Sequence, residues 1–171
     1  INSDFSRLEI DLKGCLDNYK YFRSFLNDST KLLVLVKANA YGHGAVEFAT
    51  LMEDAGADYL AVAYPVEGIE LRQAGIKSPV IVLTAGTDSF EQIVNYGLEP
   101  GIPNLCSLKE LCKVLEKRGV RDFPVHIKLD TGMHRLGFVS EELQELEAFL
   151  KDCHYVKVKS IYSHLAAADD P

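Results

Sequence analysis

The chain has little of what binding to nucleic acid or crossing a membrane requires. Lysine and arginine number 18 against 25 aspartate and glutamate residues, which gives a formal net charge of -7 and a pI near 5.2. Nucleic acid and anionic membrane surfaces attract basic proteins, so we expect neither partner. No apolar run approaches the ~18 to 20 residues of a membrane span, and we expect no signal peptide. The composition therefore predicts a soluble protein of the cytoplasm.

Cysteine is also scarce and scattered. Cys15, Cys106, Cys112 and Cys153 form no CxxC pair and have no ladder of histidines beside them. Zinc sites and redox motifs depend on such spacing, so we expect reduced thiols and no metal.

The size of the chain fits one domain. It has 171 residues, of which 47% are apolar, enough to form a core. The sequence begins at Ile1 rather than methionine and ends at Pro171 after a loop-like stretch. We expect residues 1–171 to be a partial domain cut from a longer polypeptide.

Short apolar runs alternate with helices along most of the sequence. Glycines typical of helix C-termini recur at Gly56, Gly75, Gly97 and Gly119, spaced by 19, 22 and 22 residues. A helix is predicted over 12–26, after an alternating strand or strap at 8–12. The apolar runs predict strands at 32–36, 58–63, 79–83, 98–102, 124–129 and 156–163.

Several residues predict where helices begin. Pro65 suits a first turn, Asp88 suits an N-cap, and Ser140 suits the start of the last helix. Ser107 with Glu110 has the spacing of a capping box.

Strands and helices that alternate in this way predict a parallel sheet. Two α/β architectures fit the pattern, an open doubly wound sheet and a (β/α)8 TIM-type barrel. The regular units favour the barrel, here truncated to about six βα units, which would leave two sheet edges unpaired.

Lys37 follows five apolar residues and precedes a loop with two glycines. At the carboxyl end of a buried strand, where α/β proteins bind ligands, its amine is placed to attack a carbonyl. Gly42 and Gly44 open a helix whose N-terminus attracts anions, and Tyr41 and His43 add donors. A lysine that can bind an aldehyde and a helix start that can bind a phosphate together suit pyridoxal 5'-phosphate, which carries both groups. The alternative is a lysine that ends the strand in water.

Two further stretches end at the same pole of the sheet. Arg135 follows the strand at 124–129 between glycines, which suits a carboxylate or a phenolic oxygen, although a loop arginine is also often solvated. His164 follows the sixth strand, where a structural histidine is the alternative. For Lys128, the alternative to a site role is a simple surface pair with Asp130 or a glutamate.

Three sequence strings resemble the alanine racemases. They are Val36-Lys37-Ala38-Asn39-Ala40-Tyr41-Gly42-His43-Gly44, the stretch from Lys128 to Phe138, and Ser163-His164-Leu165-Ala166. The resemblance implies that pyridoxal phosphate is held by Lys37, Tyr41, Leu83, Arg135 and His164. It also implies that Lys37 and Arg135 are catalytic, that Arg135 binds substrate, that His164 has a supporting role, and that Lys128 is carbamylated.

The same resemblance implies an activity for the parent protein. It would interconvert L- and D-alanine for peptidoglycan synthesis as a homodimer, with Lys37 serving one face of the substrate and a tyrosine of the partner subunit the other. The isolated 171 residues would then have little activity. The alternatives are another barrel protein that uses pyridoxal phosphate, either a decarboxylase or a cofactor-homeostasis protein, and a non-enzymatic α/β binding module.

Overall fold

The computed structural model describes residues 8–168, which form one parallel sheet with helices between its strands. Its six strands, each within about a residue or two of the predicted limits, are β1 (Leu33–Leu35), β2 (Tyr59–Val62), β3 (Val80–Val82), β4 (Glu99–Ile102), β5 (Phe123–Leu129) and β6 (Val156–Ser163).

Apart from two short 3-10 turns, seven helical segments accompany the strands within residues 8–168. They are α1 (Leu12–Ser24), the left-handed segment α2 (Lys37–Tyr41), α3 (Ala45–Asp54), α4 (Pro65–Gln73), α5 (Phe90–Asn95), α6 (Leu105–Arg118) and α7 (Leu143–Asp152). The four predicted closing glycines all have positive φ, between 58° and 95°, as helix C-termini require. No helix within residues 8–168 is long and apolar enough to cross a membrane.

The order of the strands decides between the two predicted architectures. The strands pair in parallel in the sequential order β1-β2-β3-β4-β5-β6. A doubly wound sheet reverses its strand order at a switch point, whereas a barrel adds each strand to the previous one. The sheet is therefore of the barrel type, and the predicted α/β fold of about six units is confirmed.

The core lies where strands are covered on both sides. Every residue of β3 is buried, as are three of the four residues of β2. The expectation that the strand before Lys37 is also covered on both faces is wrong. Leu33 and Leu35 are 38% and 39% exposed, because β1 is an edge strand and these side chains line an open cavity.

Two predicted helix starts are wrong. The N-cap of α6 is Asn104, whose Oδ1 accepts a hydrogen bond from Ser107 N at 2.8 Å. Asparagine caps as well as serine and occurs three residues earlier, so the helix begins before Ser107. Asp88 lies within a short 3-10 turn, and Ser89 is the N-cap of α5. Pro65 begins α4 as predicted, and Ser140 begins a 3-10 turn that continues into α7.

Of the two interpretations of residues 8–12, a strand or a strap, the strand is wrong. Asp11 caps α1 by accepting hydrogen bonds from Lys13 N and Gly14 N, and residues 8–11 belong to no strand. The apolar stripe predicted for α1 is only partly buried, since Tyr19 is 8% exposed but Phe22 is 62% exposed.

Candidate active site

Lys37 lies at the carboxyl end of β1, beside a cavity of about 740 Å³. The preceding residue, Val36, is fully buried and donates its N–H to Ala61 O on β2 at 2.9 Å. This bond fixes the backbone just before the lysine, whose side chain is half-buried and lines the cavity. The amine is therefore held beside the cavity, at the edge of the sheet where the strands have their carboxyl ends.

The chain after Lys37 makes a left-handed turn. The φ angles of Ala38, Asn39, Ala40 and Tyr41 lie between 50° and 55°, a conformation that residues other than glycine seldom adopt in succession. Asn39 tolerates this conformation best, and its Oδ1 accepts a hydrogen bond from Ala45 N at 2.8 Å. Such sustained backbone strain is typical of functional sites.

This turn changes the predicted anion site. The first amide of α3, Ala45 N, already donates to Asn39, and the carboxylate of Glu47 occupies the first turn of the same helix. The occupied amide of Ala45 and the negative charge of Glu47 thus disfavour a phosphate at the start of α3. Tyr41 is 60% exposed, with its ring centre 5.9 Å from Lys37 Nζ, while His43 Nδ1 is hydrogen-bonded to Ala40 O at 2.8 Å.

Glu67 holds the turn against the second βα unit, a role that the sequence did not suggest. Its Oε1 accepts from Ala38 N at 2.6 Å, and its Oε2 accepts from Ala63 N and Tyr64 N at 2.7 and 2.9 Å. One carboxylate thus joins the residue after Lys37 to the end of β2 and the start of α4. The available signal was a glutamate in the first turn after Pro65.

We expect Glu67→Gln to lower the free energy of unfolding by about 1–3 kcal/mol, because an amide has one acceptor oxygen where the carboxylate has two. Urea unfolding measures this change. Glu70→Gln is the matched control on the same helix, where the side chain is exposed and we expect a change within about 0.5 kcal/mol. Equal changes in both variants would contradict the anchoring role of Glu67.

Arg135 lies on a loop that is closed at its base by strand-like pairing. Phe138 N donates to Lys128 O at 2.8 Å, and Asp130 N donates to Phe138 O at 2.9 Å. Within the loop, Asp130 Oδ1 accepts from Gly132 N and His134 N, both at 3.0 Å. These bonds lower the pKa of Asp130. Asp130 therefore organises the loop, in contrast to the simple surface pair with Lys128 that the sequence allowed.

Lys128 is half-buried beside the cavity. Its Nζ lies 5.0 Å from the ring centre of Tyr162, the residue paired with it on β6. Burial, and next the nearby charge of Arg135, lower the pKa of Lys128, while Asp130 opposes the shift. The neutral amine is therefore more populated than it is in an ordinary exposed lysine.

Tyr162 was not predicted as a site residue. Its hydroxyl is the buried side-chain polar atom without a hydrogen-bond partner among residues 8–168, and burial raises the pKa of Tyr162 to about 12. A methyl group at Gly101 would overlap this hydroxyl, so the glycine gives it room. A neutral phenol is thereby kept within the cavity lining.

A polar network around the buried side chain of His126 lies next to this tyrosine and joins three strands. His126 Nε2 is 2.8 Å from Glu99 Oε2 on β4, and His126 Nδ1 is 2.7 Å from Ser160 Oγ on β6. The register shift between Val125 and His126 pairs His126 with Ser160. Because Ser160 lines the cavity, the network supports the cavity wall.

The structure brings together most of the predicted site residues. Lys37, Leu83, Lys128, Arg135 and His164 all line the cavity, while Tyr41 stands at its edge near Lys37. The cavity lining includes no aspartate or glutamate among the residues that the structure describes, although the chain carries a net charge of -7. The mouth is therefore suited to a ligand with negative charge.

A sequentially ordered parallel βα sheet with a lysine at the end of its first strand and further cations beside it defines a barrel-type α/β protein with a lysine-centred site. Residues 10–171 match the family model described as alanine racemase, N-terminal domain. The chain belongs to the alanine racemase family.

Relatives and solved structures agree with this assignment. The alanine racemase of Synechocystis sp. is 41% identical over 96% of this chain and 44% of its own length. The structure of Clostridium difficile alanine racemase in complex with cycloserine has a TM-score of 0.84 at 34% identity, covering 90% of this chain and 43% of that one. The Bacillus anthracis alanine racemase with bound L-Ala-P has a TM-score of 0.85 at 29% identity, over 94% and 42%. The chain thus spans less than half the length of each of these relatives.

Proposed function

We propose that the protein catalyses the interconversion of L- and D-alanine with pyridoxal 5'-phosphate, and that residues 1–171 supply part of the cofactor-binding barrel. The observation that carries the proposal is the convergence of Lys37, Lys128, Arg135 and His164 on one cavity. These residues come from three different strand ends, as a barrel active site requires. D-alanine made in this way would serve peptidoglycan synthesis.

The residues of the cavity fit the cofactor in chemistry. Lys37 offers an amine to its aldehyde, Arg135 offers a fork of donors to its phenolic oxygen, and Leu83 offers an apolar contact to its ring. Tyr41 would contribute to phosphate binding from the edge of the cavity. When bound, the cofactor withdraws electrons from the α-carbon of an amino acid and so weakens its C–H bond.

The same residues account for proton movement. Racemisation needs a proton to leave one face of the α-carbon and to arrive on the opposite face, so two groups must approach from opposite sides. Lys37 Nζ would serve one face while Arg135 holds the substrate carboxylate. Burial keeps the Tyr162 hydroxyl protonated because it raises the pKa of Tyr162 to about 12, and this makes Tyr162 a poor base. His164 would support the site.

We propose that the second base is a tyrosine of a partner subunit and that the working protein is a cytoplasmic homodimer. The family resemblance supports this assignment. Light scattering on the product of the complete reading frame that encodes residues 1–171 measures the oligomeric state. A strictly monomeric and fully active protein would contradict it.

We propose further that Lys128 carries a carbamate that orients Arg135. Carbon dioxide reacts with a neutral amine, and burial beside Arg135 lowers the pKa of Lys128, which increases the neutral fraction at a given pH. We expect isotopically labelled bicarbonate to give one carbamate signal in carbon NMR that is absent from Lys128→Ala. A signal of equal size in that variant would exclude Lys128 as the site.

The activity itself is tested on the protein made from the complete reading frame. With pyridoxal phosphate added, we expect L-alanine and D-alanine each to convert to an equal mixture of the two enantiomers. Chiral chromatography measures this conversion. L-serine under the same conditions is the comparison substrate. No exchange at the α-carbon of alanine, with the cofactor bound to Lys37, would overturn the assignment of alanine as substrate.

A further inference from the structure

Two cysteines from different helices bring their sulfur atoms into contact on the outer layer of the fold. Cys112 lies in α6, and Cys153 is the residue at which α7 ends. Their Sγ atoms are 3.4 Å apart, although the residues are 41 positions apart in the sequence. Cys153 precedes the amino end of β6, whereas the lysine-centred cavity lies at the carboxyl ends of the strands. The racemase chemistry proposed above uses neither sulfur.

A surface cavity gives small molecules access to this pair. It has a volume of about 460 Å³ and is lined by both cysteines and by Lys109, Lys113, Phe149 and Tyr155. Cys112 is buried, with 7% of its surface exposed, and Cys153 is half-buried. Glu116 and Asp152 also line the cavity, so its two lysines are balanced by two carboxylates.

We propose that Cys112 and Cys153 form a dithiol site at which low-molecular-weight disulfides, represented by oxidised glutathione, produce an intramolecular disulfide. The sulfur atoms must close from 3.4 Å to about 2.05 Å, which requires the two side chains to rotate toward each other. Neither residue belongs to a CxxC motif, so the site depends on the packing of α6 against the end of α7.

The reaction proceeds in two exchanges. Cys153 Sγ attacks one sulfur of the small disulfide, and the first small thiol leaves with the proton of Cys153. Cys112 Sγ then attacks Cys153 Sγ, the bond to the second small thiol breaks, and that thiol leaves with the proton of Cys112. The two cysteines lose two electrons, which the small disulfide gains.

The environment of the two thiols explains this order. Burial, and next the contact with Cys153, raise the pKa of Cys112 to about 12, which makes Cys112 a poor first nucleophile. Cys153 is the more accessible sulfur and lies at the edge of the cavity. Once it carries the small thiol, Cys112 already lies in contact with the sulfur that it must attack.

The test maps disulfides in the protein made from the complete reading frame after incubation with oxidised glutathione. Remaining thiols are alkylated, the protein is digested without reduction, and the peptides are identified by mass. We expect a peptide pair joined through Cys112 and Cys153 that disappears on return to reduced glutathione. Cys106, exposed on the same helix, is the matched control and should carry glutathione alone.

Two results would overturn the proposal. One is that Cys112 and Cys153 are both recovered as alkylated free thiols under conditions in which Cys106 carries glutathione. The other is that Cys153 carries glutathione while no link to Cys112 forms. Because the mapping uses the unchanged protein, it does not depend on whether a cysteine variant folds. In Cys153→Ser, we expect Cys112 to stay a free thiol under the same conditions.

Discussion

Replacing Lys37 with arginine is expected to lower kcat/KM for alanine racemisation by at least about 10³-fold. Arginine keeps the positive charge at the mouth of the cavity but stays protonated, so it offers neither a free amine to an aldehyde nor a base to the substrate. Proton transfer by one positioned group alone contributes roughly 10²–10⁴-fold. Initial rates of D-alanine formation measure the effect.

The control for this variant is Lys20→Arg, which makes the same change at an exposed position of α1. We expect this variant to keep the full rate. Circular dichroism and the thermal midpoint show whether Lys37→Arg is folded. A folded Lys37→Arg protein with more than a tenth of the original kcat/KM would contradict a catalytic role for Lys37.

Replacing Arg135 with lysine is expected to lower kcat/KM by about 10²-fold while leaving the fold intact. The loop around Arg135 is held by Asp130 and by the pairing of Phe138 with Lys128, none of which involves the guanidinium. Lysine keeps the charge but loses the planar fork that binds a carboxylate through two bonds, and such an electrostatic contact is worth roughly 10²–10³ in rate.

Arg121→Lys makes the same exchange at another exposed arginine and should leave the rate unchanged. Steady-state kinetics over a range of alanine concentrations separate the contributions of KM and kcat. An equal loss of rate in Arg121→Lys would show that the effect does not depend on the position of Arg135 beside the cavity. A full rate in Arg135→Lys would show that a fork is not needed.

The architecture could be predicted from the sequence because its signals are local and repeated. Apolar runs and glycines such as Gly56 and Gly119 mark units of nearly constant length, and parallel strands place their carboxyl ends at one edge. The convergence of Lys37, Arg135 and His164 follows from that geometry. The strand order was the remaining choice, because doubly wound sheets and barrels use the same units.

The parts that could not be predicted depend on contacts between distant residues. Glu67 acts on Ala38, which lies 29 positions away, and a glutamate in a first turn normally caps only its own helix. The left-handed turn after Lys37 carries Asn39 as its single local signal. The start of α6 was misplaced because Asn104 and Ser107 are both good caps, and their order along the chain decided between them.

The contact between Cys112 and Cys153 illustrates the same limit. Spacing in the sequence excluded a redox motif, yet the packing of α6 against the end of α7 brings the two sulfur atoms to 3.4 Å. Cysteine patterns identify sites within a single loop or helix. Pairs formed between two helices are visible only in three dimensions.

The proposed function depends on Lys37 being the amine that receives the cofactor. The direct measurement is to incubate the protein from the complete reading frame with pyridoxal phosphate, reduce it with borohydride and locate the attached cofactor by peptide mass. We predict one modified residue, Lys37, and no modification at Lys20 or Lys77 on the surface. Attachment only at surface lysines, or at Lys128 in place of Lys37, would contradict the account.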